Sequence, residues 1–491
     1  MPHARTRLGA AAAALAVGFS SIAGPLTPPA GPPMSTGKTL PQVEPRIDIA
    51  TVPGDAGTNH IITQPGSYYL SGDVVTGPHT VCIEVRAPNV TIDLNGFTLT
   101  DDQSQGFGGG DGVRIRADLA SNVVVRNGQI DVANTGVDFI NGASTVLVED
   151  VRVRSGPNGV VLGPNSVARR VSVVGASIHV EGDHCVIDSC EVVSEGPGII
   201  DFGPSFGGTV VRNTVVAGQG INPVRGVSLG LDTTIENTLV RNSTSGISVG
   251  NRSVVRDTLV TNVFGGTSPN GITAGIRSTI ENVTIVDVGG NGVEIAEGAR
   301  VAGVSVSGFN ATGIVAGTSA LIEGSSVNSG TVSGIVASTG SIVRGCLIED
   351  IGSTAVAIDA SLVSDTAIRG ADTGISMGTS STAIGNQISA VRVDGVRGFN
   401  DNLVMHNQID GIGSGSTGIT MSVGDNRIDS NLITDHDTGI FVAPGNLVIR
   451  NALAGTATTI TGSGAGNSGV AGIAISVTSL NALNPFANIA F

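Results

Sequence analysis

Short bursts of alternating apolar and polar residues recur along most of this chain. Three consecutive stretches show the pattern, residues 233–252 (TTIENTLVRNSTSGISVGNR), 253–277 (SVVRDTLVTNVFGGTSPNGITAGIR) and 278–299 (STIENVTIVDVGGNGVEIAEGA). Each reads as two short strands, one ending in an Asn or Asp turn and the other opening with Gly before Ile or Val. A unit of about 20 to 25 residues cannot bury its apolar face alone, so such units must stack on one another. The pattern therefore predicts an all-β, single-stranded parallel β-solenoid.

The Gly that opens the second strand recurs from Gly112, Gly136 and Gly159 through Gly226 and Gly246 to Gly439, with Ser177 and Ala355 in two units. That gives about sixteen rungs over residues 89–454, and at about 4.8 Å per strand a rod on the order of 75 Å long. Gly at this place implies a positive φ or a close backbone approach. The turn column reads Asn127, Asp150, Arg170, Ser189, Asn213, Asn237, Asp257 and Asn282, then Gly303, Gly324, Gly345 and Asp365. These are mainly residues that tolerate left-handed turns, and stacked Asn amides can bond from rung to rung.

The residue just before this column alternates in charge: Arg126, Glu149, Arg169, Asp188, Arg212, Glu236, Arg256, Glu281, then Ala302, Glu323, Arg344. In-register stacking puts equivalent side chains about 4.8 Å apart, where opposite charges attract and like charges repel. Alternation thus predicts that sequential rungs are spatial neighbours.

The ends depart from the repeat. Residues 1–23 have a basic start, a short apolar run and small residues at a cleavage point, the layout of a secretory signal peptide. Residues 24–50 form a Pro-rich lead-in read as disordered. Residues 51–88 are expected to cap the N-terminal sheet edge and residues 455–491 the C-terminal one. No later apolar run is long enough to cross a membrane. The expected location is secreted, periplasmic or cell-surface.

The chain has 491 residues, with 72 glycines, no Trp, a single lysine (Lys38) and a formal charge of −15. That acidity excludes nucleic acid, whose binding needs a basic face. Cys82, Cys185, Cys190 and Cys346 suit small buried or turn positions better than a disulfide framework or metal site, and Cys346 falls in the Cys190 column seven rungs away.

The recurring V-x-x-[ND]-x-x-[VI] followed by G-[IV]-x-[VI] resembles the right-handed parallel β-helix repeat of the pectin-lyase-like superfamily. QPGSYYLSGDV with VTIDLNGFTL resembles the capping stretch of secreted bacterial members. The resemblance implies right-handedness. It extends to polysaccharide lyases, glycoside hydrolases, uronate epimerases, phage tailspikes and a periplasmic copper-binding accessory family, and the fold does not choose among them.

Candidate chemistry is sparse. The outward residues of the Gly strands, read from Arg114 and Asp138 through Val161, His179, Ser228 and Ser248 to Thr420, form a mostly small, neutral stripe. No three neighbouring rungs in it bring two Asp and an Arg together as a lyase would require. Glycosidase chemistry needs two carboxylates about 5 to 10 Å apart. Asp410, Asp435, His436 and Asp437 are the catalytic candidates on the late loops, beside Asp372 and Asp394. Asp101, Asp102 and Asp111 are the calcium candidates in the early ones, and calcium is the one cofactor left open. Copper would need grouped His and Met, yet Met405 and His406 stand apart from Met377 and Met421. Phe202, Phe206 and Phe264 are the candidate glycan-binding surface. The expected role is adhesion, envelope structure or glycan contact, with extracellular polysaccharide or envelope components as partners. The alternative is a polysaccharide lyase or glycoside hydrolase.

Overall fold

The computed structural model describes residues 46–490 except 77–80, 102–109, 117–119, 141–144, 202–205, 220–224, 268 and 463–485. The expected signal segment and most of the lead-in lie outside the described residues. From Arg46 onward the chain is a parallel β-solenoid of about 18 turns. Every pairing between named strands is parallel and joins one turn to the next; Val210–Arg212, for example, lies between Val186–Asp188 and Thr234–Glu236. The extra turns come from the ends. Thr58–Ile62 and Val81–Val85 stack in register below Val113–Arg116, and Thr458–Gly462 stacks above the last Gly strand. Ile47–Asp48 pairs with Tyr68–Tyr69, and the 3-10 turn that follows, Ile49–Thr51, buries Ile49 completely.

Each turn carries three strands, not the two the pattern suggested. Sheet I holds the strand before the Asn/Asp turn, such as Val254–Arg256, and sheet II the strand just after it, such as Leu259–Val263. Sheet III holds the Gly strand, such as Ser245–Val249. The bend between sheets I and II is a single left-handed residue, so apolar alternation runs through it and the two strands read as one. In the early rungs they are continuous, as in Val146–Arg154, which bends at Asp150 with φ 55°. The whole turn column is left-handed, from Asn127 at φ 58° to Asp365 at φ 51°. His406, φ 56°, belongs to the same column. Its amides stack as expected: Asn237 Nδ2 donates to Asn213 Oδ1 at 2.7 Å, and Asn213 Nδ2 to Asp188 Oδ1 at 3.0 Å.

The sheet III glycines obey the other constraint. None has positive φ; each lies where a Cβ would collide. At Gly226 it would meet the Gly246 carbonyl oxygen at 2.4 Å and Val240 Cγ1 at 2.5 Å, and at Gly292 Val306 Cγ1 at 2.3 Å. The packed interior is a set of Val and Ile stacks, fully buried along the rod. The one fully buried aromatic ring among the described core residues, Phe309, enters above a gap. The Phe309 ring fills the space over Gly330, whose Cβ would sit 2.0 Å from it.

Two polar ladders flank sheet I inside the rod, and the sequence pattern did not reveal them. On one side Ser278 Oγ accepts from Ser253 N and Ser253 Oγ from Thr233 N, each at 3.1 Å. Towards the C-terminus this column becomes Asn402, Asn426 and Asn446, whose side chains accept from the backbone N–H of the preceding rung at 2.8–2.9 Å. On the other side Cys190, Thr214 and Cys346 give way to Asn386, Asn407, Asn431, Asn451 and Asn488. These amides also bond to one another, at 2.9–3.1 Å. Buried amides are tolerated there because each donor and acceptor is matched by the next rung. Asn488 and the strand Ile489–Ala490 carry that ladder and sheet II to the end of the rod.

Candidate functional site

The outward charges of sheet I neutralise one another. The register pairs Asp188 with Arg212, Arg212 with Glu236, Glu236 with Arg256 and Arg256 with Glu281, as the alternation predicts. Ion pairs close at 3.1 Å for Arg212–Asp188, 2.5 Å for Arg256–Glu236 and 2.5 Å for Arg344–Glu323. Where the pattern lapses at Ala302, Arg300 from the same strand reaches across the gap to Glu281 at 3.8 Å and Glu323 at 2.6 Å. The column continues upstream to Asp93, paired with Arg126 at 3.2 Å. Far downstream, Asp429 is fully buried between Arg427 and Arg450, whose guanidiniums hold its carboxyl well below the usual range.

Sheet III differs. Its outward stripe begins two rungs earlier than the repeat suggested, because Thr58–Ile62 and Val81–Val85 are regular rungs that add Ile61 and Glu84 to it. Register places Glu84 beside Arg114 and Arg114 beside Asp138. Three neighbouring rungs therefore carry Glu, Arg and Asp, a succession not visible while residues 51–88 are counted as a cap. Arg114 Nε and Nη2 donate to Asp111 Oδ2 at 3.0 and 2.5 Å, and Arg114 Nε lies 3.6 Å from Asp138. Asp111 Oδ1 accepts from Asn134 Nδ2 at 2.8 Å and Thr135 N at 3.3 Å, so its acceptors are engaged. Glu84 is held by Arg86 at 2.8 and 3.0 Å and by Thr58 Oγ1 at 3.2 Å.

Asp138 is less well served. Burial, then the Asp111 charge, push its carboxyl up to about 6, with Arg114 pulling the other way and Glu181 adding to the rise. Burial raises Glu181 too. His179, two rungs beyond Asp138 on the same stripe, is 5% exposed, and burial pushes it down to about 4. Ser177 Oγ donates to the Pro157 carbonyl at 2.8 Å and lies 2.6 Å from His179 Nε2, which assigns the imidazole proton to Nε2.

Further along, the stripe is smooth. Arg225, Ser228, Thr244, Ser245, Ser248, Gly266 and Thr267 line a cleft of ≈ 480 Å³. Glu294 beyond it accepts from Asn270 Nδ2 at 2.8 Å. A second cleft, ≈ 410 Å³, runs over Val336, Ala357 and Ser376 beside Phe399, whose ring is half exposed.

The sequence candidates are distributed as follows. On the late rungs, His436 points inward at the corner between sheets II and III while Asp435 and Asp437 point outward. The His436 ring fills the space over Gly411 much as Phe309 does over Gly330. Its Nδ1 lies 2.9 Å from Ser416 Oγ, and burial pushes it down to about 4. Asp410 accepts from Thr434 Oγ1 at 2.7 Å, Asp437 from the Gly415 backbone, and Asp435 is a turn residue with φ 55°. On the early rungs Asp101 and Asp111 lie on adjoining parts of one corner, and Asp102 falls outside the described residues. Among the described residues no three His, Cys, Asp or Glu side chains gather in a metal-binding group. Phe206 lies at the corner between sheets III and I and the half-exposed Phe264 at the corner between sheets II and III, while Phe202 is outside the described residues. Met377 and Met421 are buried in the core of sheet III, apart from Met405 and His406. All four cysteines are free and buried.

No protein-family model matches the sequence, and no curated protein does. Among solved structures the chain is similar to the A-module of the Azotobacter vinelandii mannuronan C-5 epimerase AlgE6, at 13% identity over 80% of this chain and 91% of that one, with a TM-score of 0.29. It is similar to a mutant tailspike protein of E. coli bacteriophage HK620 at 12% identity over 87% and 80%, with a TM-score of 0.28. PfbA, a surface adhesin of Streptococcus pneumoniae, aligns at 12% identity over 68% and 84%, with a TM-score of 0.24. Likenesses of this size carry nothing about ligand or activity. The architecture itself is an all-β parallel solenoid of about 18 turns.

Proposed function

We propose that this is a secreted or cell-surface β-helix protein whose sheet III face binds extracellular polysaccharide. The observation that supports this reading is the outward stripe of that sheet. It is long and in register, mostly small and neutral from Ser228 to Thr420, and it carries two clefts sized for sugar rings, one beside the exposed ring of Phe399. Sheet I also has a cleft, ≈ 470 Å³ over Arg300, Glu323 and Arg344, but the charges that line it are engaged with one another.

A second reading, an extracellular polysaccharide lyase or glycoside hydrolase, is favoured by one specific feature, the succession of Glu84, Arg114 and Asp138 with Asp111 at its side. A carboxyl raised to about 6 next to one engaged by an arginine is the kind of pair that can divide acid and base roles. The purified chain should be screened against neutral, acidic and amino polysaccharides, with and without calcium, for binding, reducing ends and unsaturated-product absorbance. Binding without turnover supports the first reading, and turnover abolished by Asp138→Asn supports the second. Silence across the panel overturns both.

A further inference from the structure

We infer that the cleft over Ser228 and Ser248 on sheet III is a subsite for a tetrahedral oxyanion, the sulfate ester of a sulfated polysaccharide. The inference rests on the glycan-binding reading and names the chemistry of one part of that surface.

The cleft exists because one rung carries a longer corner. Leu259–Val263 of sheet II is followed by residues 264–271 before Ile272–Ala274 of sheet III, whereas in the next rung only residues 289–292 separate Thr284–Val288 from Val293–Ile295. The longer corner is packed against its neighbours. A Cβ on Gly289 would lie 3.2 Å from both the Phe264 ring and Pro269, and one on Gly266 3.2 Å from Thr244 Cβ. Gly265 and Gly266 both take φ 82°, a left-handed pair open to glycine, and Gly266 and Thr267 wall the cleft.

The groups inside it are donors that lack acceptors. Arg225 is exposed and lines the cleft, and its guanidinium makes no ion pair or hydrogen bond among the described residues, unlike Arg212 and Arg256 on sheet I. The hydroxyls of Ser228, Ser245, Ser248 and Thr267 bond to no described group. Register sets Arg225 beside Ser245 and Ser228 beside Ser248, one rung apart. None of the described lining residues is a carboxylate, although the chain carries a charge of −15 and Asp359 lines the other cleft of this sheet. Further along the stripe Glu294 lies two rungs beyond Ser248, and it accepts from Asn270 and Asn291.

Positive charge and unused hydroxyls facing one space select an anion. A carboxylate has two oxygens in one plane, and the two-pronged guanidinium satisfies both, leaving the hydroxyls idle. A sulfate ester has three terminal oxygens in a pyramidal fan. Two can take the guanidinium while the third, with the spare lone pairs, reaches hydroxyls on rungs about 4.8 Å apart. The volume of ≈ 480 Å³ also holds the sugar that bears the group.

The test compares dextran sulfate, carboxymethyl-dextran and dextran of equal length by titration calorimetry of the purified chain at about pH 7 and low salt. Dextran sulfate should bind, carboxymethyl-dextran should bind about tenfold more weakly, and dextran should not bind. Arg225→Gln should weaken dextran sulfate about tenfold and Ser248→Ala a few-fold. Arg369→Gln, which removes another exposed arginine without an ion pair among the described residues, this one on sheet II, should leave the affinity unchanged. Thermal melts confirm that the three variants fold. Equal binding of the sulfated and carboxymethylated forms, an equal loss in Arg225→Gln and Arg369→Gln, or affinity untouched by Arg225→Gln would each overturn the inference. If dextran sulfate is silent while another glycan of the panel binds, the subsite is wrong and the glycan-binding reading stands. If no glycan of any charge binds, both fall.

Discussion

Sheets I and III are built on one backbone register, yet they handle charge in opposite ways. On sheet I almost every outward charge meets its opposite one rung away, and where the series lapses at Ala302, Arg300 fills the gap. On sheet III acids crowd two arginines at one end and disappear from most of the remaining face. A ladder that satisfies itself serves register and solubility. A face that leaves carboxylates unmet, then runs smooth for many rungs, is the better place to look for a ligand.

The largest effect should come from the most deeply buried carboxylate of the sheet I series. Asp429→Asn leaves Arg427 and Arg450 without their shared carboxylate and should cost about 2 kcal/mol, less than breaking a fully buried pair because both guanidiniums are half exposed. A urea unfolding midpoint reads it. The depressed carboxyl of Asp429 contributes stability that is present above the ordinary Asp range and lost as pH falls through it.

Asp138→Asn should do the reverse. The Asp138 carboxyl is raised in the fold, so its contribution is favourable below its unfolded value, near 4, and is lost as pH rises through about 6. The substitution should therefore raise the unfolding midpoint at pH 7.5 by roughly 1 kcal/mol and leave it unchanged or lower at pH 4. A stabilising loss of charge on sheet III, beside a destabilising one on sheet I, would mark the first as a site and the second as scaffold.

Smaller again, Glu236→Arg places three positive residues in succession with Arg212 and Arg256. It should cost about 0.5 to 1 kcal/mol at low salt, fading at high salt. An unchanged midpoint at low salt would make the ladder energetically irrelevant. Arg300→Ala should cost about 0.5 kcal/mol or less, since its two partners are on the surface.

The repeat, its stacking order and the left-handed turn column were legible because each depends on residue types that only one geometry tolerates. The third strand was not, since one left-handed residue bends the chain without breaking its alternation. That omission mattered little for the fold, but a related one mattered for the site. Tyr68 and Tyr69 make residues 51–88 look unlike the repeat, which hides Glu84 from the stripe it belongs to. The buried Asn ladders show the same limit. Asn386, Asn407 and Asn431 read as turn residues until their neighbours one rung away are known. His436, between two acids in sequence, looked catalytic, but strand alternation sends it inward over Gly411 and the acids outward.

The most direct test of the account is the hydrogen-exchange footprint of whichever polysaccharide binds in the panel screen. The account predicts slowed exchange along sheet III and its corners, at Val113–Arg116, Arg225–Leu229 and Ser245–Val249, with sheets I and II unchanged. Protection centred instead on the Arg and Glu ladder of sheet I, at Thr234–Glu236 and Val254–Arg256, would contradict it.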